Sequence, residues 1–211
     1  MTRIKICGVT LADDAARVSA AGVDYIGLNF WPRSRRYLDP ARAPILAGVA
    51  RGAGAAKLVG VFVDADIDDI LAITQLVELD VIQVHGDEDP TRIAALAAAT
   101  KRPVWKALTI ASARDVVHLD VWPAEAVLLD APTPQRGGAG AKFDHALAAE
   151  GRRLHPRTNL ILAGGLAPET VAAAIAVVEP WCVDVATGVE AAPGVKDPAK
   201  LAAFVAAVRA A

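Results

Sequence analysis

The chain has 211 residues, of which 54% are hydrophobic and 22% are charged, and its formal net charge is −2. This size and composition fit one sizeable domain with a large apolar core. The near-neutral charge, without a basic stripe or an acidic tail, argues against a nucleic-acid-binding protein and against a disordered one.

The sequence also favours a cytoplasmic location. No apolar run is long enough to cross a membrane, and strand-like sequence follows Met1-Thr2-Arg3 directly, without the apolar segment of a signal peptide. The two cysteines, Cys7 and Cys182, have neither metal-ligand spacing nor the pattern of a disulfide framework. We therefore expect a cytoplasmic protein with reduced thiols and with no metal, membrane or nucleic-acid partner.

Short apolar runs alternate with Ala-rich segments along the whole chain. The runs predicted as strands are residues 4–7, 24–30, 57–63, 81–85, 104–108, 126–130, 160–163 and 182–185. The segments predicted as helices are 11–21, with Thr10 as N-cap, 39–49, 66–76, 91–99, 112–118, 144–149, a segment from 168, and one that begins at Asp197-Pro198 and ends at 210.

This alternation predicts a parallel sheet whose strands are apolar because both of their faces are buried. Eight such units close into a single-domain (β/α)8 barrel over residues 1–211, which is shorter than the ~250 residues typical of the class. A doubly wound open sheet is the alternative. That fold commonly has a G-x-G-x-x-G turn after its first strand, whereas this chain has Cys7-Gly8-Val9-Thr10.

Cys7 and Asp130 are each the last residue of a predicted strand, where barrel enzymes place their reacting groups. A thiolate can act as a base when nearby cations lower its pKa, and a carboxyl group in an apolar site can keep its proton near neutrality. The two could therefore form an acid/base pair. The alternatives are a buried core thiol or a nucleophile paired with His85 for Cys7, and a helix cap or ion pair for Asp130.

Glycines follow several neighbouring strands and predict an anion site. Gly164-Gly165 follows the seventh predicted strand and Thr187-Gly188 follows the eighth, where barrel enzymes commonly bind phosphate through backbone N–H groups. The loop at 137–140, which contains Gly138, could extend that surface. Ordinary tight turns are the alternative.

A second anion site is predicted in the loop after the second strand. Of the arginines in Arg33-Ser34-Arg35-Arg36, one could hold a carboxylate bidentately, although such a run is commonly solvated surface. His85 follows the fourth strand, where it could be a structural hydrogen-bonding residue instead of a functional one.

The chain resembles phosphoribosylanthranilate isomerase, an enzyme family of tryptophan biosynthesis, nearly from end to end. The segments that carry the resemblance are Lys5-Ile6-Cys7-Gly8, 30–37 (FWPRSRRY), 59–63 (VGVFV), 83–86 (QVHG), Leu129-Asp130, 137–140 (GGAG) with Phe143-Asp144, 162–166 (LAGGL) and 185–190 (VATGVE). The ordered set coincides with the predicted strand ends, so it is far more specific than any one of its pieces.

The resemblance implies a cofactor-free barrel that isomerises N-(5'-phosphoribosyl)anthranilate by an Amadori rearrangement, as a monomer or a homodimer. By this resemblance Asp130 is the general acid, Cys7 is the general base, and Arg36 faces the anthranilate carboxylate. The substrate-binding set that we predict is Arg36, His85, Gly138, Gly164, Gly165, Thr187 and Gly188.

Three positions depart from the family's common pattern. Ala139 stands where a threonine is common, His145 where a tryptophan is common, and Ala186 where a serine is common. We expect altered affinity or loop dynamics from these changes, with activity retained. The competing functions are another phosphate-binding barrel, such as indole-glycerol-phosphate synthase or ribulose-phosphate epimerase, and a barrel that only binds a phosphorylated metabolite.

Overall fold

The computed structural model describes residues 1–132 and 144–211. Eight short segments rich in Val, Ile and Leu form parallel strands, and β1 pairs with both β2 and β8, so the sheet closes into a barrel in chain order. The strands are β1 (Arg3–Cys7), β2 (Tyr25–Asn29), β3 (Lys57–Phe62), β4 (Val81–Val84), β5 (Val104–Thr109), β6 (Ala126–Asp130), β7 (Asn159–Leu162) and β8 (Cys182–Val185). The predicted closed barrel is confirmed, and the open sheet is not observed.

Helices follow most of the strands and cover the outside of the barrel. They are α1 (Ala12–Ala20), α2 (Ala43–Ala53), α3 (Ile67–Val77), α4 (Pro90–Thr100), α5 (His145–Leu154), α6 (Val171–Val178) and α7 (Pro198–Ala210). A small hairpin, β9 (Glu190–Ala192) and β10 (Val195–Lys196), follows β8 and was not predicted. Within residues 1–132 and 144–211, none of the helices has the length and apolar character needed to span a membrane.

Two helix predictions need correction. Residues 112–118 contain one 3-10 turn, Ala113–Val116, because the Asp115 carboxylate accepts the N–H groups of Ala111 and Ser112 and closes a single turn. A second 3-10 turn, Leu119–Val121, follows this segment. The helix predicted over 39–49 begins only at Ala43, because the Asp39 carboxylate accepts the Ala41 N–H and forms a separate turn.

The predicted cap of α1 is also wrong. Leu11 occupies the N-cap position, and no side chain caps the helix there. The Thr10 hydroxyl instead donates a 2.7 Å hydrogen bond to the carbonyl of Gly194, in the β9–β10 hairpin. This contact ties the loop after β1 to the loop after β8.

The strands separate two apolar cores by the alternation of their side chains. Outward residues such as Ile4, Ile6 and Ile26 pack against the helices. Inward residues fill the amino-terminal half of the barrel, where Trp105 and Cys182 are fully buried, as expected for core positions. Because this inner core fills one end, open space within the barrel remains at the carboxyl ends of the strands.

Candidate active site

A cavity of about 800 Å³ opens at the carboxyl ends of the strands. Inward side chains from six strands and the residues just after them form its floor: Cys7, Asn29, Val61, Val63, Gln83, His85, Leu128, Asp130, Asp184 and Ala186. The loops after β2 and β8 form its rim, with Arg36, Thr187 and Glu190 among the lining residues. The structure therefore brings both predicted catalytic residues to one cavity.

Cys7 lies beside a buried lysine that the sequence analysis did not single out. Lys5 and Cys7 are two residues apart on β1, so their side chains point to the same inner face. Gly27 on β2 leaves room for both: a Cβ at Gly27 would lie 2.7 Å from Cys7 Sγ and 3.1 Å from Lys5 Nζ. Lys5 Nζ also donates to Asp184 Oδ1 at 2.9 Å, across the β1–β8 pairing.

The pKa of Cys7 lies above its ordinary value. Burial raises this pKa most, the ammonium of Lys5 lowers it, and the carboxylate of Asp184 raises it again. The result differs from the lowered pKa that a resting thiolate base would need. The thiol is therefore protonated at neutral pH.

Asp130 ends β6 on the cavity floor and has the character expected of a general acid. It is 7% exposed, and its Oδ1 accepts the N–H of Ala131 at 2.8 Å. Burial raises the pKa of Asp130 to about 6, against the lowering effect of that hydrogen bond. The catalytically useful combination, a protonated Asp130 with a Cys7 thiolate, is thus a minor ionisation state at neutral pH.

His85 follows β4 and lies on the same floor. Its Nε2 is 3.8 Å from Asp130 Oδ2, beyond hydrogen-bond distance. The residue therefore faces the carboxyl group of the proposed acid, consistent with a place in the substrate-binding set.

Arg36 is held in place by a carboxylate at the rim. Its Nε donates to Glu190 Oε1 at 2.8 Å and its Nη2 donates to Glu190 Oε2 at 2.6 Å. Nη2 also donates to the Thr187 hydroxyl at 3.0 Å. The arginine side chain crosses Gly8, where a Cβ would lie 2.3 Å from Arg36 Cδ, and Gly8 has φ +71°. Only a glycine leaves room for this path.

Glu190 and Lys196 form a second buried pair that the sequence analysis missed. Lys196 Nζ donates to Glu190 Oε1 at 3.0 Å and to the carbonyl of Cys7 at 2.6 Å. Burial raises the pKa of Glu190, but the hydrogen bond from Arg36 and the charge of Lys196 hold it below its ordinary value. Lys196 thus ties the end of β1 to the β9–β10 hairpin. Glu190 stood in a motif of the resemblance, whereas nothing local in the sequence marks Lys196.

The predicted phosphate loops lie next to each other. Gly164 and Gly165 have φ of +83° and +70°, conformations that favour glycine. Gly188 packs so closely on the loop after β7 that a Cβ would lie 2.0 Å from the carbonyl oxygen of Leu166. Of the predicted phosphate ligands, Thr187 lines the cavity wall.

Not every predicted site position can be placed on the structure. Gly138 and Ala139 lie outside the described residues. His145 is the first residue of α5, after the Asp144 cap. Ala186 lines the cavity with a methyl group, so Thr187 supplies the hydroxyl of this loop.

Two polar residues near strand ends form a separate cluster. Lys106 points to the outside of the barrel, since Trp105 and Ala107 on either side of it point inward. Its Nζ donates to Glu88 Oε2 at 2.7 Å, and Glu88 Oε1 accepts the N–H of Asp64 at 2.9 Å. These groups stabilise the loops after β3 and β4, outside the main cavity.

Comparison with known proteins agrees with this geometry. The sequence profile of the N-(5'-phosphoribosyl)anthranilate isomerase family matches residues 4–207. The chain belongs to this family. The match distinguishes the chain from the other phosphate-binding barrels considered above.

Individual relatives cover the whole chain. The isomerase of Acidithiobacillus ferrooxidans is 44% identical over 99% of this chain and 98% of its own. The crystal structure of the isomerase from Thermotoga maritima is 35% identical and superposes over 100% of both chains with a TM-score of 0.89. A family structure in complex with reduced 1-(o-carboxyphenylamino)-1-deoxyribulose 5-phosphate is 33% identical over 100% of both chains, with a TM-score of 0.86.

Proposed function

We propose that this chain converts N-(5'-phosphoribosyl)anthranilate to 1-(2-carboxyphenylamino)-1-deoxyribulose 5-phosphate in tryptophan biosynthesis. The observation that carries the proposal is the placement of Cys7 and Asp130 on one cavity floor in unlike surroundings, within a chain of the isomerase family. The Cys7 thiol has a neighbouring ammonium, that of Lys5, which favours its ionised form, and burial raises the pKa of the Asp130 carboxyl to about 6. Such a pair can move protons at two positions of one sugar.

In the first step Asp130 gives its proton to the furanose ring oxygen. The bond between C1' and the ring oxygen breaks, and the nitrogen lone pair forms the C1'=N bond of a protonated Schiff base. Cys7 Sγ then takes the proton from C2', and the C–H electron pair forms a C1'=C2' bond as the C1'=N electrons return to nitrogen. The resulting enolamine tautomerises to the aminoketone product.

The remaining predicted residues bind the two ends of the substrate. Arg36 faces the anthranilate carboxylate with its guanidinium plane fixed by Glu190, and planar donors of this kind hold carboxylates well. His85 contributes to the floor beside Asp130. The phosphate lies on the backbone of Gly164-Gly165 and Thr187-Gly188.

We also propose where the enzyme acts, in which assembly state, and on what kind of substrate. Residues 1–211 act as one catalytic domain in the cytoplasm, as a monomer or homodimer, on a phosphorylated small molecule and without cofactor. The isomerase of Thermotoga maritima is dimeric. Monomers generated from that dimer have a crystal structure, and their sequence is 34% identical to this chain. Analytical ultracentrifugation of the purified chain decides between the two assembly states.

Activity is tested by adding purified protein to freshly made phosphoribosylanthranilate and following the decay of its anthranilate-type fluorescence, without added metal or cofactor. We expect decay with the wild type. We also expect kcat to fall at least ~10²-fold in Cys7→Ser and in Asp130→Asn, the scale of a lost general base or acid. A wild-type protein that binds the substrate without turnover would identify a barrel that only binds, and near-normal turnover in either variant would remove that residue from the mechanism.

A further inference from the structure

The floor of the cavity holds an ion pair directly beneath the proposed base. Lys5 is fully buried, and its ammonium lies 2.9 Å from Asp184 Oδ1, on a side chain that is 11% exposed to the cavity. The register of the β1–β8 pairing places Lys5 opposite Asp184, and the strand alternation places Lys5 and Cys7 on one face. Gly27 leaves room on the neighbouring strand for both Cys7 Sγ and Lys5 Nζ.

We propose that Lys5 and Asp184 are positioning residues for Cys7: the ammonium orients Sγ toward the cavity and favours the thiolate, and the carboxylate fixes the ammonium and limits its effect. This inference rests on the proposed function, in which Cys7 is the base. It explains why a charged pair occupies the interior of a barrel whose next inner layer is apolar, since burying such a pair without a use is costly.

Other charges reach Cys7, but most of them are committed elsewhere. The charged groups that face it or its backbone are Lys5 from β1, Asp184 from β8, Arg36 from the loop after β2, and Lys196 from β10. Arg36 and Lys196 both pair with Glu190, which offsets their positive charge. Asp130, on β6, interacts with Asp184 and Lys5 across the floor. Lys5 is thus the cation best placed to act on the thiol.

The directions of the electrostatic effects agree with this placement. Burial raises the pKa of Cys7, Lys5 acts against that effect, and Asp184 reinforces it. Removal of the Lys5 ammonium should therefore raise the thiol pKa, and removal of the Asp184 carboxylate should lower it. A pair too distant to act on the thiol would not produce this opposition.

The test measures the ionisation of Cys7 without using activity. The rate of Cys7 alkylation by iodoacetamide is followed from pH 6 to pH 10.5 by mass spectrometry of the Cys7 peptide, which separates it from the buried Cys182. The proteins are the wild type, Lys5→Met, Asp184→Asn and the double variant Lys5→Met/Asp184→Asn. The double variant leaves no unpaired buried charge, so it keeps the test available if Lys5→Met folds poorly.

We expect the thiol pKa to rise in the order Asp184→Asn, wild type, double variant, Lys5→Met. One nearby charge shifts a pKa by about 1–3 units, so alkylation of Lys5→Met near pH 7.5 should be at least ~10-fold slower than that of the wild type. Lys106→Met, which removes a buried ammonium on the outside of the barrel, should leave the thiol pKa unchanged. Equal thiol pKa values in all variants, or shifts of both single variants in the same direction, would overturn the inference.

Activity measurements separate this inference from the proposed function. If the thiol pKa follows the expected order and kcat/KM follows the thiolate fraction, both stand. If the thiol pKa follows the order but Cys7→Ser keeps normal turnover, the pair still tunes the thiol, and the role of Cys7 as base is wrong. If the order fails while Cys7→Ser is inactive, Cys7 is the base and the positioning role is wrong.

Discussion

Two buried lysine–carboxylate pairs lie on opposite faces of the same barrel. Lys5 on β1 points inward to Asp184 at 2.9 Å, and Lys106 on β5 points outward to Glu88 at 2.7 Å. Their ammonium-bearing side chains are 0% and 3% exposed, so both pairs carry the cost of removing charges from water. Only the inner pair touches the cavity that holds Cys7.

The outer pair, Lys106 with Glu88, binds backbone groups of loops, whereas the inner pair, Lys5 with Asp184, acts on the Cys7 thiol. Lys106 Nζ also donates to the carbonyl of Gly86 at 2.6 Å, and Glu88 accepts the N–H groups of Asp64 and Gly86 at 2.9 Å each. These contacts join the loops after β3 and β4 to β5. The two ion pairs thus have different roles. The position of each lysine along its strand determines whether its side chain points into the barrel or out of it, and therefore which role the pair has.

The sharpest contrast should come from breaking the outer pair. Lys106→Met leaves Glu88 buried without its cation, and removing one partner of a buried pair costs about 3–5 kcal/mol of unfolding free energy. We expect this loss in urea unfolding followed by circular dichroism. Lys57→Met, at an exposed strand start, should change the stability by less than about 0.5 kcal/mol.

A companion variant tests the cause of that loss. In Lys106→Met/Glu88→Gln no unpaired charge remains, so part of the stability should return. A Lys106→Met protein as stable as the wild type would show that the outer pair contributes nothing net. The structural role assigned to the outer pair would then be wrong, and the role of the inner pair would be unaffected.

A second, smaller effect concerns Asp130, which faces the inner pair. Its pKa in the folded protein is about 6 against an ordinary value of 3.8, so the folded state binds the proton more tightly than the unfolded state. This contribution to stability is complete below pH 3.8 and is lost as the pH rises through 6. Asp130→Asn should therefore be more stable than the wild type by about 3 kcal/mol at pH 7.5, with the gain shrinking toward pH 4.

Urea unfolding at several pH values measures this difference. Asp144→Asn, at the exposed cap of α5, is the matched control and should not show the same gain at high pH. If Asp130→Asn were less stable than the wild type at pH 7.5, the carboxyl group would be favoured in its ionised form. The assignment of Asp130 as an acid with a raised pKa would then fail.

The contrast between the pairs also marks the limit of what the sequence could predict. The barrel, its strand order and the strand-end positions of Cys7 and Asp130 followed from local patterns, because apolar runs and terminal polar residues are visible in one chain. Nothing in the sequence distinguishes Lys5 from Lys106, although only Lys5 faces the cavity. Inward and outward positions become distinct only when the strands close into a barrel.

Contacts between residues distant in the chain could not be predicted either, because they form only when the barrel closes. Glu190 lies 154 residues from Arg36, and Lys196 lies 189 residues from Cys7, so no local spacing joins them. The hairpin that carries Lys196 is formed by short segments of ordinary composition. Its role in tying β1 to β8 depends on the closed sheet.

The buried pair at the rim, Arg36 with Glu190, allows a last and smallest test. Arg36→Met removes the proposed carboxylate ligand, while Lys196 remains 3.0 Å from Glu190 and keeps that carboxylate paired. We therefore expect KM to rise about tenfold, the scale of one charged hydrogen bond, with kcat changed far less. Arg42→Met, an exposed arginine just before α2, should leave both constants unchanged. A fall in kcat with an unchanged KM would instead place Arg36 at the reacting end of the substrate, alongside the inner pair, because an interaction made only in the transition state lowers kcat without weakening substrate binding.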